Sequence, residues 1–238
     1  DEDAFLGRID LDGIGNLSKL IGTTEEDIAY SIQSDNGGNI YITGETKGNL
    51  NNEINQGDED AFVIKLDSNG NEIWTKLFGT PYSDIPWFSK IDENGNLYLG
   101  GETAGNLNGE SNNGVIDING VNQDSEDAFL IKIDPQGNEI WTKLFGSSHG
   151  EESHDVAFSK DGFTYLVGET HKDSSLNDSH VFNNQLVSGD QNAFVIKLDS
   201  DGNEIWTKLF GQQNWTSANS IEIDDNDHPW AIGYDKNL

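Results

Sequence analysis

A block of about twenty residues recurs through this chain almost letter for letter, and repetition on that scale restricts the fold more than any other feature. The run Asp60-Ala-Phe-Val-Ile-Lys-Leu-Asp-Ser-Asn-Gly-Asn-Glu-Ile-Trp-Thr-Lys-Leu-Phe-Gly79 returns at 127–146, and again at 192–211 with Asn192 in the leading place. A divergent copy fills 3–22, carrying Leu17 where Trp74, Trp141 and Trp206 stand. Between these blocks lies a second unit, Asp27-Ile-Ala-Tyr-Ser-Ile followed by Asp35-Asn-Gly-Gly-Asn and Ile40-Tyr-Ile-Thr-Gly-Glu-Thr46. Its relatives run from Asp84 to Gly101-Glu-Thr103, from Asp155 to Gly168-Glu-Thr170, and from Ser217 to Gly233-Tyr234-Asp235. The closing glycines Gly22, Gly79, Gly146 and Gly211 stand 57, 67 and 65 residues apart.

Each unit reads as a hairpin. Phe62, Ile64 and Leu66 alternate with Val63 and Lys65, the period of two that a strand requires. Asp67-Ser-Asn-Gly-Asn then supplies the residues a tight turn needs, and Glu72-Ile-Trp-Thr-Lys-Leu-Phe is β-branched and aromatic. Two hairpins per repeat make a four-stranded sheet. Apolar residues on both faces demand that each sheet be covered on both sides, as in blades around an axis.

The motif Asp-Ala-Phe-Val-x-Lys-x-Asp-x-x-Gly-x-x-x-Trp, with Asp-x-Gly-Asn-x-Tyr-x-x-Gly, resembles the bacterial β-propeller repeat often called SBBP. The resemblance covers essentially the whole chain and implies propellers in exported or surface-attached bacterial proteins, so an extracellular or cell-surface location is expected. The expected fold is all-β: one domain over 1–238 with four four-stranded blades, from repeats at about 3–46, 60–103, 127–170 and 192–235. The phase of the repeats leaves a lone outer hairpin at the start and a lone inner hairpin at the end. These are expected to form one composite blade that closes a monomeric ring. The rival is an open half-ring that a dimer closes into eight blades.

Forty-three acidic against thirteen basic residues give a net charge of −30. Such a surface repels nucleic-acid backbone and anionic membrane, and it attracts cations or basic partners. No apolar run approaches the roughly 20 residues of a membrane span, and with no Cys there is neither a disulfide framework nor a thiolate metal site.

Strand direction gathers acidic residues on one edge of the blades: Asp27, Glu45 and Asp60, then Asp84, Glu102 and Asp127, then Asp155 and Glu169. Oxygen donors crowded in this way suit Ca²⁺, the expected cofactor. The same residues suit capping strand ends by accepting hydrogen bonds from loop N–H groups, the reading that repetition alone favours. Trp87 and Trp215 fall near that edge, outside the repeated tryptophan slot, where an aromatic beside carboxylates suits a carbohydrate or a cation. Asp10-x-Asp12-Gly13 and Asp199-x-Asp201-Gly202 resemble half an EF-hand loop, but position twelve is Ile21 or Phe210, so they read as turns. His149, His154, His171, His180 and His228 show no tight metal spacing and read as polar loop residues. There is no Gly-x-Ser-x-Gly, and no catalytic residue is assigned. The long loops 46–60, 103–127 and 170–192 leave the acidic edge with differing lengths, which marks that face for recognition. The leading expectation is a non-enzymatic module presenting these loops to a protein or glycan. The alternative is a metal-dependent hydrolase or lyase that uses the rim carboxylates.

Overall fold

Seven turns among the described residues share one local design, and it sets the blade geometry. Asp67 accepts hydrogen bonds from the amides of Asn69 and Asn71, while Gly70 N–H donates to Asp67 O with a φ of 84° that glycine tolerates. Asp10, Asp35, Asp92, Asp134, Asp199 and Asp224 do the same. The two EF-hand-like segments are therefore hairpin turns whose carboxylates are already engaged.

The computed structural model describes residues 2–114, 126–172, 180–211 and 215–236. Among them the regular structure is all strand. A first hairpin, β1 (Ala4–Ile9) and β2 (Gly15–Ile21), precedes three four-stranded antiparallel blades. Blade one is β3 (Asp27–Ser34), β4 (Ile40–Thr46), β5 (Asp60–Leu66) and β6 (Glu72–Phe78). Blade two is β7 (Asp84–Ile91), β8 (Leu97–Thr103), β9 (Asp127–Ile133) and β10 (Glu139–Phe145). In blade three, β11 (Gly150–Phe158) and β12 (Thr164–His171) are followed by a small loop ribbon of β13 (Val181–Phe182) and β14 (Gln185–Leu186). The blade is completed by β15 (Gln191–Leu198) and β16 (Glu204–Phe210), and a last hairpin joins β17 (Thr216–Ile223) to β18 (Pro229–Asp235).

The first strand of each blade touches that of the next, β3 to β7, β7 to β11 and β11 to β17, so these strands line the inner edge. Both faces of the middle strands are covered: all seven residues of β5 are buried. Phe62, Phe129 and Phe194 occupy the same slot in the three blades and are fully buried. Tyr41, Tyr98 and Tyr165 each meet the tryptophan of their own blade edge-on, Trp74, Trp141 and Trp206, at 5.9, 5.7 and 6.0 Å. Trp74 and Trp141 also reach forward, donating from Nε1 to Pro135 O and Ser200 O in the following blade. The repeated tryptophans are thus wedges between blades.

The composite fourth blade is not formed within the chain. β1–β2 and β17–β18 stand as separate two-stranded sheets. Phe5 is 75% exposed where Phe62 is fully buried, and Trp230 is 68% exposed where Tyr41 is fully buried. The phase of a repeat reports which halves are complementary; it does not report how far an arc of blades turns, and this arc stops before head meets tail.

Candidate functional site

Every inner strand carries one residue more than its partner. The register slips between Ala29 and Ser31, Pro86 and Phe88, Ser153 and Asp155, and Ala218 and Ser220. Tyr30, Trp87, His154 and Asn219 are the extra residues, bulged from the ladder. Opposite the bulges stand Gly44, Gly101, Gly168 and Gly233, where a Cβ would overlap the carbonyl oxygens of Ile28, Ile85, Glu152 and Ser217. The repeated Gly-Glu-Thr triplet now has a residue-by-residue meaning. Glycine admits the bulge, and Thr103 and Thr170 donate to the carboxylates that begin the inner strands, Asp84 and Glu151. Glu45 joins the bulged Tyr30 and Glu169 lies beside the bulged His154, while Glu102 meets Glu152.

A continuous acidic and aromatic track results. Tyr30 meets Trp87 of the next blade edge-on at 5.3 Å and hydrogen-bonds Glu45. Burial, then the charges of Glu152, Glu126 and Glu45, push the Glu102 carboxyl well above its ordinary value. His171 Nε2 lies 2.8 Å from Glu169 Oε1 and 3.4 Å from Glu152 Oε1, and His154 Nε2 lies 3.5 Å from Glu152 Oε2. Burial opposes charging of both imidazoles, yet the hydrogen bonds that His154 donates to Glu152 and His171 donates to Glu169 raise their pKa values. Burial likewise opposes ionisation of Glu169, but His171 and Ser217 hold it below its ordinary value. The track ends at Trp215, edge-on to His171 at 6.3 Å and 41% exposed.

Glu152, Glu169 and His171 offer ligand atoms that all lie within 4.8 Å of one another. Buried Glu169 Oε2 has no hydrogen-bond partner, as befits an oxygen left free to ligate. Two carboxylates and an imidazole are donors of the kind that suits a divalent transition ion.

The sequence-assigned carboxylates divide into two groups. Glu45, Glu102 and Glu169 belong to the track. Asp27, Asp60, Asp84 and Asp127 are fully or almost fully buried at strand starts and accept hydrogen bonds from the amides of Thr23, Gln56, Thr80 and Asn113. Asp155 does not occupy the place of Asp27 and Asp84. Glu151 does, pairing with Thr170 as Asp27 pairs with Thr46, whereas Asp155 follows the bulge and accepts from Ser220 and Ile221. Matching on Asp alone caused the slip; each true equivalent lies five residues after a closing glycine, and Glu151 follows Gly146 by that spacing. Trp87 lies within the track, edge-on to Tyr30, and Trp215 stands at its far end. Tyr30 and His154 were missed because a bulge leaves no mark in a period of two, and Glu152 and His171 because they carry no repeat signature.

Nor are the histidines all loop residues. His154 and His171 lie on strands, and buried His149 and His180 stack at 3.9 Å. His180 Nε2 lies 2.9 Å from Thr170 Oγ1 and 3.3 Å from Ser147 Oγ, tying the loop before β13 to the blade. Of the long loops, residues 115–125 and 173–179 lie outside the described residues.

Two curated proteins are similar to this chain. The regulatory protein FlaEY of Caulobacter vibrioides is 25% identical over 195 residues, covering 79% of this chain and 20% of that protein. The WD repeat-containing protein L264 of Acanthamoeba polyphaga mimivirus is 26% identical over 210 residues, covering 76% of this chain and 15% of that protein. The chain thus spans a fifth or less of these relatives' lengths. The family model for the SBBP beta-propeller repeat matches residues 18–51 and 73–108, each running from an outer strand through the next inner hairpin. The chain thus carries SBBP-type beta-propeller repeats at those two places, in agreement with its repeated motif and its four-stranded sheets.

Proposed function

We propose that this chain is a non-enzymatic repeat scaffold of an exported or cell-surface protein, and that its acidic inner track is the binding site. The track takes a divalent cation at Glu152, Glu169 and His171, and the loaded edge, with Trp215 beside it, receives a protein or glycan. The convergence of those three ligand groups supports this reading most strongly. The imidazole favours a transition ion such as Zn²⁺ or Mn²⁺; Ca²⁺, which prefers oxygen donors alone, is the ion for a purely carboxylate rim. Titration calorimetry with each ion is expected to give one site per chain, weakened at least tenfold by Glu169→Gln and by His171→Ala. Equal binding by both variants and the parent would remove the site.

A metal-dependent hydrolase or lyase is the second reading. It is favoured by the concentration of departures from the repeat, Glu152, His154, His171 and Trp215, in and beside blade three. Metal-dependent turnover on a glycan or ester panel, lost in His171→Ala, would replace the first reading with the second.

A further inference from the structure

Each glutamate of the repeated Gly-Glu-Thr triplet stands near two variable places, the bulged residue of the inner strand and the residue that follows the triplet. In blade one these are Tyr30 and Lys47. Tyr30 hydrogen-bonds Glu45, and Lys47 Nζ lies 2.8 Å from Glu26 Oε2 and 3.0 Å from Glu59 Oε1. In blade three they are His154 and His171, both able to carry positive charge, and His171 Nε2 lies 2.8 Å from Glu169 Oε1. Blade two has Trp87 and Ala104 instead. The backbone there is unchanged, since Ala104 N–H donates to Ser83 O as Lys47 N–H donates to Glu26 O. What differs is the cation.

The acids remain. Glu126 precedes Asp127 as Glu59 precedes Asp60, Glu102 hydrogen-bonds Glu152, and the charges that bear most on Glu102 are those of Glu152, Glu126 and Glu45. The loop 104–126 contains no Lys, Arg or His, so it brings no cation of its own. Two buried polar atoms here also have no hydrogen-bond partner: Glu45 Oε2, on a side chain only 7% exposed, and Trp87 Nε1. A buried polar atom left unmatched is costly. The oxygen needs a donor and the indole N–H needs an acceptor.

We propose that this seat, bounded by Glu45, Glu102, Glu126 and the ring of Trp87, receives the side-chain ammonium of a lysine from a protein partner. The ammonium takes the part that Lys47 plays within blade one, donating to the carboxylates. The Trp87 ring, edge-on to Tyr30 at 5.3 Å, adds cation–π attraction. A peptide also brings backbone carbonyls that accept from Trp87 Nε1, which neither a metal ion nor a free amine offers. The inference rests on the inner track being the binding face, and it narrows the partner to a protein with an exposed lysine. It does not draw on the metal site of blade three.

Ala104→Lys tests the seat by filling it from within. A pentapeptide with blocked ends and one central lysine is titrated at constant ionic strength with EDTA present. The indole N–H signals are followed by NMR, that of Trp87 being assigned by its loss in Trp87→Phe. Saturable movement of the Trp87 signal is expected, with binding at least tenfold weaker in Ala104→Lys. Asn69→Lys adds the same charge at an exposed turn on the opposite edge and is expected to change binding less than twofold. n-Butylammonium, which has the ammonium without the carbonyls, is expected to bind at least threefold more weakly than the peptide. No saturable movement, equal binding by Ala104→Lys and its parent, or equal weakening by the turn control overturns the proposal. Butylammonium binding as tight as the peptide's overturns it too, in favour of a free amine. So does Ca²⁺ binding in chelator-free buffer that Ala104→Lys abolishes while the peptide fails to bind, which would make the seat a second metal site. The chelator keeps the peptide result separate from the fate of Glu152, Glu169 and His171, whose ion titration is read without peptide.

Discussion

Gly101→Ala is expected to cost about 3 kcal/mol or more, near the upper end for a single methyl group. A Cβ at Gly101 would fall on the carbonyl oxygen of Ile85, a backbone atom that no side-chain rotation can move away. Relief requires β7 to shift, and β7 is held at the bulge that displays Trp87 and packs against β3 and β11. For a domain of this size the loss corresponds to a fall in melting temperature on the order of 6–12 °C. Gly15→Ala is the matched control: a Cβ there meets nothing closer than 3.9 Å, so its melting should stay close to that of the parent. Thermal and denaturant melts decide the matter. A Gly101→Ala protein melting within about 2 °C of the parent would show that the bulge yields freely and does not anchor the inner edge.

Raising the pH from about 4.5 to about 8 is expected to lower the melting temperature on the order of 10 °C. Burial raises Asp84, Asp127 and Glu151 to about 7, and Asp60 to about 6. Their unfolded values lie near 4. Between those limits the folded chain holds more protons than the unfolded chain, so stability falls as pH rises and levels off above the folded values. The turn carboxylates act oppositely. Asp67 and Asp199 are held low by their asparagine and turn-amide donors, and their contribution disappears only as pH falls below about 4. The maximum should therefore sit on the acid side of neutrality.

Blade three already contains the relevant substitution. Asn192 holds the place of Asp127 and donates from Nδ2 to Phe210 O and Gly211 O while accepting from Ser188 N–H. Asp127 Oδ1 has no hydrogen-bond partner, and only a protonated carboxyl could donate as Asn192 does. Asp127→Asn should consequently raise the melting temperature at pH 8, leave it nearly unchanged at pH 5, and flatten the profile. A variant less stable than its parent at pH 8 would mean that the charged form is the one the fold uses.

The blades were legible in the sequence because the physics that makes them is periodic. Phe62, Ile64 and Leu66 alternate, the Asp-x-x-Gly turns recur, and apolar residues on both faces require neighbours. The loop-edge position of Asp27, Asp60, Asp84 and Asp127 also follows from strand direction alone. The site was only half legible. Trp87 and Trp215 stand out as tryptophans outside the repeated slot, but Tyr30 and His154 reach the track through a bulge, a break in the very periodicity used to find strands. Glu152 and His171 carry no repeat signature, and only tertiary pairing brings them to Glu169. Ring closure was the least legible part, since it depends on the angle between sheets and no residue spacing encodes that angle.

In the function proposed above, bulge, glycine and glutamate together build one cation site on the inner edge of blade three. An anomalous difference map from crystals soaked in Mn²⁺ or Zn²⁺ tests it directly. A dominant peak bonded to Glu169 and His171, with Glu152 as the third ligand, is the expected result. Peaks confined to the outer loops and hairpin turns, with that pocket empty, would contradict it.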